Sequence, residues 1–409
     1  MDVNDPSSVS WQVVERLLEA VRRHLDADLA YLTEHGTDAV KVRAVAGPSD
    51  LLGLSAGTQI AFDAATCVAA VQGRIPSLLA DARDNRVVRR LSRTTGIAIG
   101  ACAAVPVRLP DGRVFGALCA LSRAPLDHLT TQDERFLLAI AEVIATQLAE
   151  VLATRDHEGR ERDTILRVLQ GSRLRTVLQP IIDLGSGDTV GVEALTRFDA
   201  PPQRPPDVWF AEAARHQLAA PLEVAALRSA LRLLPGLTDA WYLGLNASPT
   251  LIEDGTLAVV LADAPLDRLV LEITEHAAVN DYHRINTELT PLREQGLRLA
   301  IDDTGSGFAS LRHVVRLRPD IVKMDGSLTR GLDTDPFRRA LAASLADFAA
   351  KIGATLVAEA VETPQDLAVL QDLSVPFGQG YLFAAPGHPD DLRATYPTQV
   401  PPVIRAAAG

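Results

Sequence analysis

The chain has 409 residues, of which 47% are hydrophobic and 22% charged, so it is large enough for two or three folded domains and lacks the composition of a disordered protein. Its formal net charge of −12 argues against long nucleic acid as a partner, because phosphate neutralisation requires a surplus of Lys and Arg. We expect neither a signal peptide nor a membrane-spanning helix, since no basic and apolar leader opens the chain and no run of about eighteen apolar residues occurs. The three cysteines lack metal-type spacing, so we expect a reduced, cytoplasmic protein.

Residues 1–150 predict a small α+β domain with an antiparallel sheet and a helix at each end. Five apolar segments carry this pattern, one helix followed by four strands: 9–25, 27–34, 39–47, 100–109 and 113–122. Residues 109–112, Leu-Pro-Asp-Gly, are typical of a hairpin turn between the last two strands. Thr131 stands three residues before Glu134, a capping-box spacing that predicts the start of a long helix running to about Glu158 or beyond.

Apolar residues recur along that helix in alternating steps of four and three, and the series is Leu137, Ala141, Ile144, Leu148 and Val151. Such a seam suits a parallel contact between two protomers, and it suits packing of the helix on its own sheet equally well. In the first case the protein is a homodimer, and a ligand of the N-terminal domain could act on the rest of the chain by shifting the helix packing. The charged residues 154–163 belong to a predicted helical linker that spans 151–173.

From residue 174 onward the pattern changes to alternating strands and helices. Eight apolar, β-rich segments occur, at 175–183, 189–198, 240–248, 268–274, 297–303, 320–325, 354–361 and 377–383. Helical patterns separate several of them, at 223–234, 281–295, 336–352 and 364–373. Repeated strand–helix units of this number predict an α/β fold, a modified (β/α)8 barrel of the TIM type, over residues 174–396.

Each predicted barrel strand ends at or near a polar residue suited to metal or phosphate chemistry. In chain order these are Gln179, Glu193, Asn246, Glu272, the pair Asp302 and Asp303, Lys323, Glu359 and Gln379. A single acid at a strand end is usually only a solvated terminus. The carboxyl ends of barrel strands, however, meet at one mouth, where active sites lie. The complete series therefore predicts an active site.

The residue types in this series indicate the chemistry. Four of them offer oxygen ligands of the kind that Mg²⁺ or Mn²⁺ prefers: Glu193, Asn246, Glu272 and Asp302. The series contains no His or Cys, the ligands that zinc prefers. Adjacent aspartates can serve two ions, Glu359 could accept a proton from the attacking water, and Lys323 could hold that water. We therefore predict a two-metal phosphoesterase.

Short motifs surround the same residues. They are Gln179-Pro180-Ile181, Glu193-Ala194-Leu195-Thr196-Arg197, Asn246-Ala247-Ser248-Pro249, Glu272-Ile273-Thr274-Glu275, Asp302-Asp303, Asp320-Ile321-Val322-Lys323, Glu359-Ala360-Val361-Glu362-Thr363 and Gln379-Gly380-Tyr381. In this order the motifs resemble those of the EAL-domain cyclic di-GMP phosphodiesterases. The resemblance implies hydrolysis of cyclic di-GMP to linear pGpG, in a barrel whose first strand runs antiparallel to the others.

The resemblance also implies a role for each matching residue. Those that look like ligands of the first metal are Glu193, Asn246, Glu272 and Asp302, and the one that looks like a ligand of the second is Asp303. In the catalytic group, Lys323 and Glu359 look like the pair that positions and activates water. Gln379 looks like a residue beside the water and metals, and Glu275 and Glu362 look like supporting residues. The residues that look like substrate contacts are Gln179, Leu195 and Arg197, the last suited to phosphate by its planar fork.

One loop departs from the family pattern. Relatives usually have Asp-Asp-Phe-Gly-x-Gly-Tyr-Ser-Ser, whereas this chain has Thr304 at the Phe position and Ala309 at a Ser position. The ligand set is complete, so we expect an enzyme that is weak or tightly regulated through this loop. The alternatives are a non-catalytic receptor that holds cyclic di-GMP and an enzyme that acts mainly on pGpG or another phosphodiester.

Three segments of the first 150 residues, 116–121, 67–83 and Phe136-Leu137, resemble the GAF sensory domain. This resemblance implies a pocket for an unidentified small ligand. Cys67 and Cys102 could be covalent or redox sites, but we expect them to be buried structural cysteines, and Cys119 to lie in the core. The arginines between residues 83 and 93 could face an anionic ligand, but we expect them on a solvated helix face.

Overall fold

The computed structural model describes residues 9–48, 53–96, 98–171, 173–273, 279, 281–304, 308–388 and 390. The chain divides into two compact units, the first ending at Gly159 and the second beginning at Arg160. The domain boundaries expected from the sequence, 1–150, 151–173 and 174–396, stay predictions.

The first unit is a six-stranded antiparallel sheet with helices on both faces. Its elements are α1 (Val9–His24), β1 (Leu29–His35), β2 (Ala39–Ala46), β3 (Gln59–Ala61), α2 (Thr66–Val71), β4 (Leu78–Leu79), α3 (Arg86–Thr95), β5 (Ala101–Arg108), β6 (Val114–Ser122) and α4 (Thr131–Gln170). The strand order is β3-β2-β1-β6-β5-β4, and the strand pairs in it are antiparallel. The predicted α+β domain is confirmed, and the sequence missed β3 and β4, which are too short to show a period.

Helices α1 and α4 cover one face of this sheet, and α2 and α3 cover the other. The first core contains four of the five residues of the predicted α4 seam: Leu137, Ala141, Ile144 and Leu148 are buried against α1 and the sheet, whereas Val151 is half-buried and not part of this core. The second core contains all three cysteines, which are buried as expected. The seam therefore packs within its own unit, so the interpretation that it joins two protomers is wrong for these residues.

The start of helix α4 differs by one residue from the prediction. Thr130 is the capping residue, because its hydroxyl accepts the Gln132 N–H at 3.2 Å and its own N–H donates to Asp133 Oδ2 at 2.7 Å. Glu134, the predicted partner of Thr131, instead accepts a hydrogen bond from the Ser77 hydroxyl. The capping box is real, but the acid is an Asp, which the expected Ser/Thr-x-x-Glu pattern does not include.

Helix α4 is also long and apolar enough to cross a membrane, judged by length and composition alone. The sequence predicted no such segment. The seam residues named above supply part of that apolar character, and they lie in the core beside the sheet. Burial of one stripe is what a core helix requires, so this property is weak evidence for a membrane.

The second unit is a closed eight-stranded barrel. Its strands are β7 (Leu174–Asp183), β8 (Thr189–Phe198), β9 (Tyr242–Asn246), β10 (Leu269–Ile273), β11 (Arg298–Thr304), β12 (Ile321–Met324), β13 (Thr355–Ala358) and β14 (Phe377–Gly378). Strand β7 runs antiparallel to both of its neighbours, β8 and β14, and the remaining pairs are parallel. All eight predicted strands are therefore present, and the modified TIM-type barrel with a reversed first strand is confirmed.

Helices surround the barrel between its strands. They are α5 (Pro206–Arg215), α6 (Ala219–Leu231), α7 (Pro249–Glu253), α8 (Thr256–Leu261), α9 (Tyr282–Glu294), α10 (Phe308–Leu317), α11 (Gly326–Thr329), α12 (Pro336–Ile352) and α13 (Pro364–Asp372). Side-chain caps fix several of their starts: Asp335 accepts two N–H groups of α12 and Asp281 accepts two of α9. Leucines dominate the layer between strands and helices, which holds the strands in register.

The last turns of α4 belong to this second unit. Ile165 and Val168 are buried in a small core with Trp209, whose ring stacks on Phe198 with centroids 5.0 Å apart. Glu161 is buried and accepts hydrogen bonds from Arg215 and His216, both at 3.1 Å. Phe198 directly follows Arg197 on β8, so this core supports the end of a strand that carries predicted site residues.

Candidate active site

Strand register brings the predicted site residues side by side at one end of the barrel. Gln179 is paired with Glu193 across β7 and β8, and Asn246 is paired with Glu272 across β9 and β10. Gly244 of β9, opposite Glu193, leaves the room that Glu272 needs, because a Cβ there would lie 2.2 Å from Glu272 Oε1. The strand-end series therefore forms one cluster, as expected for a barrel mouth.

Lys323 of β12 stands at the centre of this cluster and is 1% exposed. Its Nζ contacts carboxylate oxygens from four different strands or strand ends. The distances are 2.7 Å to Glu272 Oε2, 2.8 Å to Glu359 Oε1, 3.1 Å to Asp302 Oδ1 and 3.3 Å to Glu193 Oε2. One buried ammonium therefore faces four carboxyl groups.

This surplus of acids shifts the acid–base equilibria of the cluster. Burial, together with the neighbouring Glu193 and Asp302, raises the pKa of Glu272 to about 8 although Lys323 opposes the shift. Burial also raises the pKa of Glu359 well above its usual value. Burial alone would lower the pKa of Lys323, but the surrounding carboxylates raise it well above its usual value. Lys323 thus stays charged, and because one ammonium cannot balance four carboxylates, Glu272 and Glu359 keep their protons to a higher pH than usual when no cation is bound.

Amide side chains complete the cluster. Gln379 Nε2 donates to Gln179 Oε1 at 2.9 Å and to Glu193 Oε2 at 2.8 Å. Asn246 Nδ2 donates to Glu193 Oε1 at 3.1 Å. Gln179 Nε2 in turn donates to the carbonyl of Ala384 at 3.1 Å. Both oxygens of Glu193 are therefore held in fixed directions.

Asp302, Asp303 and Glu359 form the part of the cluster best suited to a cation. One carboxylate oxygen from each lies within 4.8 Å of the others, so the three could share one ion. Asp303 adopts a positive φ of 53°, and Ala360, next to Glu359, a φ of 50°. Such strained backbone at non-glycine residues is concentrated at functional sites, where the surrounding fold holds it in place.

The donor set fits divalent metal ions of the Mg²⁺ and Mn²⁺ class. It consists of carboxylate and amide oxygens, and it carries more negative charge than Lys323 can balance. The residues that could hold ions are those predicted from the sequence: Glu193, Asn246, Glu272, Asp302 and Asp303. Glu359 is a further candidate ligand, because its oxygen lies beside those of the two aspartates.

A cleft of ≈ 270 Å³ opens next to Asn246. Leu195 and Arg197, both predicted substrate contacts, line it, and Arg197 Nη1 donates to the carbonyl of Thr196 at 2.9 Å. Gln179, the third predicted contact, instead lies within the amide network around Glu193. The cleft therefore places a cation and an apolar side chain beside the acidic cluster.

Glu223 is a cleft residue that the sequence analysis missed. It lies on α6, accepts the backbone N–H of Ser248 at 3.0 Å, and has its pKa raised chiefly by burial. The strand-end pattern could not reveal it, because it comes from a helix. The only sequence signal for Glu223 was the Asn246-Ala247-Ser248-Pro249 motif, because Glu223 contacts Ser248 of that motif.

Three other predictions concern residues around the cluster. Glu362 accepts a hydrogen bond from Arg330 Nε at 2.9 Å on the surface rather than joining the contacts around Lys323. Thr304 is fully buried, and its hydroxyl donates to the carbonyl of Ile301 at 3.4 Å. It therefore belongs to the end of β11. Glu275 and the side chain of Ala309 lie outside the described residues.

Similarity to known proteins agrees with this geometry. The chain is 32% identical over 219 residues to the probable cyclic di-GMP phosphodiesterase PdeD of Escherichia coli, covering 51% of this chain and 40% of that protein. It is 33% identical over 298 residues to a cyclic di-GMP phosphodiesterase of Pseudomonas aeruginosa, covering 69% of this chain and 46% of that one. The chain thus spans less than half the length of these relatives.

Solved structures and family models give the same result. The PaMucR phosphodiesterase in complex with c-di-GMP superposes with a TM-score of 0.52 at 25% identity, over 57% of this chain and 99% of that one. An EAL domain protein from Listeria monocytogenes shares the fold with a TM-score of 0.53 at 21% identity, over 58% of this chain and 96% of that one. Residues 162–386 match the family model of the EAL domain, and residues 12–148 match that of the GAF domain. The chain therefore belongs to the EAL domain family, with a GAF domain preceding the barrel.

Proposed function

We propose that the protein is a phosphodiesterase that hydrolyses cyclic di-GMP to linear pGpG with two Mg²⁺ or Mn²⁺ ions. The observation that carries this proposal is the buried cluster in which four carboxyl groups face one ammonium, that of Lys323, beside a cleft lined by Arg197. The names of the relatives support the substrate.

The charge of the substrate supports the dependence on metal. A cyclic dinucleotide carries two phosphodiester charges and would be repelled by the acidic mouth of a chain whose net charge is −12. Divalent cations, when bound, would reverse that local sign, polarise a phosphoryl oxygen and lower the pKa of the attacking water. Arg197 would hold a phosphate through its planar fork.

The side chains supply the remaining steps. Glu359, whose carboxylate lies beside those of Asp302 and Asp303, would be deprotonated once cations are bound and would then take a proton from the attacking water. Lys323 orients that water and balances charge that develops on phosphorus. Water adds to phosphorus, the bond from phosphorus to the 3′-oxygen breaks, and the 3′-oxygen leaves with a proton. One such cleavage opens the ring and gives pGpG.

The test is incubation of the purified full chain with cyclic di-GMP and either Mg²⁺ or Mn²⁺, followed by chromatography of the nucleotides. We expect pGpG with each metal and none with chelator. Glu193→Gln should abolish turnover, whereas Glu294→Gln, an exposed glutamate on α9, should leave it unchanged. Full turnover by Glu193→Gln would contradict the assignment of Glu193.

The alternative is a receptor that binds cyclic di-GMP without cutting it. Thr304 and Ala309, where relatives usually have Phe and Ser, favour this alternative because they lie at the end of β11 and in α10, close in sequence to Asp302 and Asp303. The same incubation separates the two functions. Saturable binding without pGpG under either metal would establish the receptor, and slow formation of pGpG would establish a weak enzyme. Chromatography with pGpG or another phosphodiester as the starting compound tests the third possibility, a different preferred substrate.

The setting of the enzyme is part of the same proposal. We expect a cytoplasmic protein that is regulated by an unidentified small ligand of the GAF domain. A homodimer stays a prediction, and the buried α4 seam does not supply its interface. Sedimentation of the full chain would measure its oligomeric state.

A further inference from the structure

The last turns of α4 hold helix α5 at its carboxyl end, through a contact that the proposed function does not use. Glu161 of α4 is 7% exposed, and its Oε2 accepts one hydrogen bond from Arg215 Nη1 and one from His216 Nε2, both at 3.1 Å. Arg215 is the last residue of α5, and His216 follows it. A buried carboxylate that accepts hydrogen bonds from two charged or polar rings fixes the direction of both donors. Glu161 therefore determines where α5 ends.

The other end of α5 forms part of the wall of the substrate cleft. Pro206 and Phe210, both on α5, line the cleft together with Leu195 and Arg197 of β8. The ring of Phe210 also meets that of Phe198 edge-on, with the centroids 5.8 Å apart. Helix α5 has ten residues and is therefore about 15 Å long. Because so short a helix moves as one body, a shift of its carboxyl end also moves the cleft wall.

Trp209 connects α5 to the end of strand β8. Its ring is fully buried, stacks on Phe198 with the centroids 5.0 Å apart, and lies in the same small core as Ile165 and Val168 of α4. Successive side chains of a strand point to opposite faces, so Phe198 packs on α5 while Arg197, the residue before it, lines the cleft. Close-packed side chains transmit displacement. The position of Phe198 therefore fixes that of Arg197.

The charges at this end of α5 make Arg215 depend on Glu161. Arg215 Nη1 lies 3.1 Å from Glu161 Oε2, whereas its Nη2 lies 3.9 Å from Oε1 of Glu212. Glu212 is buried as well, and it also pairs with Arg204. Since Arg204 already neutralises Glu212, the main counter-charge of Arg215 is Glu161. Removing the charge of Glu161 would release the end of α5 from its nearest partner.

We propose that Glu161 is a positioning residue for substrate binding. It holds α5, and through Trp209 and Phe198 the end of β8, so that Arg197 keeps the orientation that binds phosphate. The proposal rests on the proposed function, in which Arg197 binds a phosphate of cyclic di-GMP. Loss of Glu161 should weaken nucleotide binding more than it slows bond cleavage, because Lys323 and the carboxyl groups around it are held by contacts of their own.

The first test is steady-state kinetics of pGpG formation by the full chain. Glu161→Gln keeps the size of the side chain and removes its charge, so we expect KM for cyclic di-GMP to rise about fivefold, with kcat within about twofold of wild type. The matched control is Glu158→Gln, which changes an exposed glutamate about one turn earlier on α4 and should leave both constants unchanged. A merely structural role would reduce the amount of active protein, so kcat would fall at unchanged KM. That result would overturn the proposal.

A double-mutant cycle tests whether the effect passes through Arg197. In an Arg197→Lys background the phosphate contact is already weakened, so Glu161→Gln should raise KM by less than about twofold. A full fivefold rise in that background would mean that the two residues act independently, and the proposal would be wrong.

Hydrogen exchange of the chain without metal or nucleotide separates this proposal from the proposed function. We expect Glu161→Gln to speed amide exchange at least about threefold in peptides that cover residues 189–198 and 206–215. Peptides that cover β12 and β13 should exchange as in wild type, which shows that the barrel is folded. Unchanged exchange at the end of β8 would overturn the proposal. Absence of pGpG from the wild-type chain would instead overturn the proposed function, and the exchange result would still decide whether Glu161 holds β8.

Discussion

The two units of this protein both bury ionisable side chains, but they balance them differently. In the barrel, four carboxyl groups surround Lys323, and their charges, when all are ionised, exceed what one ammonium can balance. In the GAF domain, Cys102 is buried among apolar side chains, and burial raises its pKa to about 12, so its thiol carries no charge. A surplus of formal charge requires a counter-ion, whereas an uncharged thiol does not. The comparison teaches that burial creates a site for cations only where it gathers more charges than the protein itself balances.

Replacing Lys323 should have the largest effect on turnover and stability, because it removes the one positive charge that faces the four carboxyl groups in the barrel. Lys323→Met leaves four buried carboxyl groups without their ammonium, so we expect turnover to fall by at least about 10²-fold. The free energy of unfolding without metal should fall by about 3–5 kcal/mol, as when one partner of a buried ion pair is lost. Urea unfolding and the pGpG assay measure both quantities.

A matched control is Lys351→Met, which removes an exposed lysine paired with Asp347 on α12. It should change the free energy of unfolding by less than about 1 kcal/mol. Equal destabilisation by the two substitutions would show that the cluster around Lys323 is not short of positive charge.

Arg197 tests the cleft beside the cluster. Arg197→Lys keeps the charge but removes the planar fork, so we expect KM for cyclic di-GMP to rise about tenfold, with a smaller change in kcat. Steady-state kinetics separate the two constants. A fall in kcat at unchanged KM would place Arg197 in the chemical step instead of in substrate binding.

The pH dependence of barrel stability follows from Glu272. Its pKa of about 8 in the folded protein lies above the usual value of 4.5, so the folded state binds more protons between these limits. Stability in the absence of metal should therefore fall as pH rises through this window, by at most about 1.4 kcal/mol per pH unit for one proton. Thermal unfolding between pH 5 and pH 9 measures this slope.

Metal binding should oppose that trend, because ions take the place of the protons. We expect Mn²⁺ to raise Tm more at the alkaline end of the range than at the acidic end. An equal rise in Tm at both ends would mean that protons and metal do not compete for these carboxyl groups.

The smallest effect concerns the GAF domain and the start of α4. Thr130→Ala should lower the free energy of unfolding of that domain by about 1 kcal/mol, because the capping hydroxyl is lost. Thr131→Ala is the control and should have little effect, since the cap lies one residue earlier. A larger effect of Thr131→Ala, measured by urea unfolding, would restore the capping box expected from the sequence.

The sequence predicted the barrel better than the GAF domain, for a physical reason. Parallel strands alternate with helices at regular intervals, and their carboxyl ends must meet, so Glu193, Glu272 and Lys323 could be placed together without a structure. The sequence could not predict the contacts of Glu362 and Glu223, because they depend on how helices and loops lie against the barrel mouth.

In the GAF domain, the sequence patterns involve residues that are close together in the chain, whereas the important contacts join residues that are far apart in it. The seam of α4 was recognised, but its two interpretations differ only in which surface covers it, and no periodicity encodes that choice. Cys67 and Cys119 lie in different elements, separated in sequence by β4, α3 and β5. They lie in the same core because α2 packs on β5 and β6, and composition and spacing do not specify that packing.

The docking of the last turns of α4 has a practical consequence for dissecting the molecule. An isolated barrel that began at residue 174, where the strand pattern starts, would lack Ile165 and Val168 and leave Trp209 uncovered. It would also lack Glu161, so Arg215 and His216 would lose the carboxylate that accepts their hydrogen bonds. Loss of activity in so short a fragment would then report a damaged strand β8 near Arg197, and would be mistaken for loss of a regulatory signal. A fragment that begins before Arg160 keeps this small core and gives a fair comparison with the full chain.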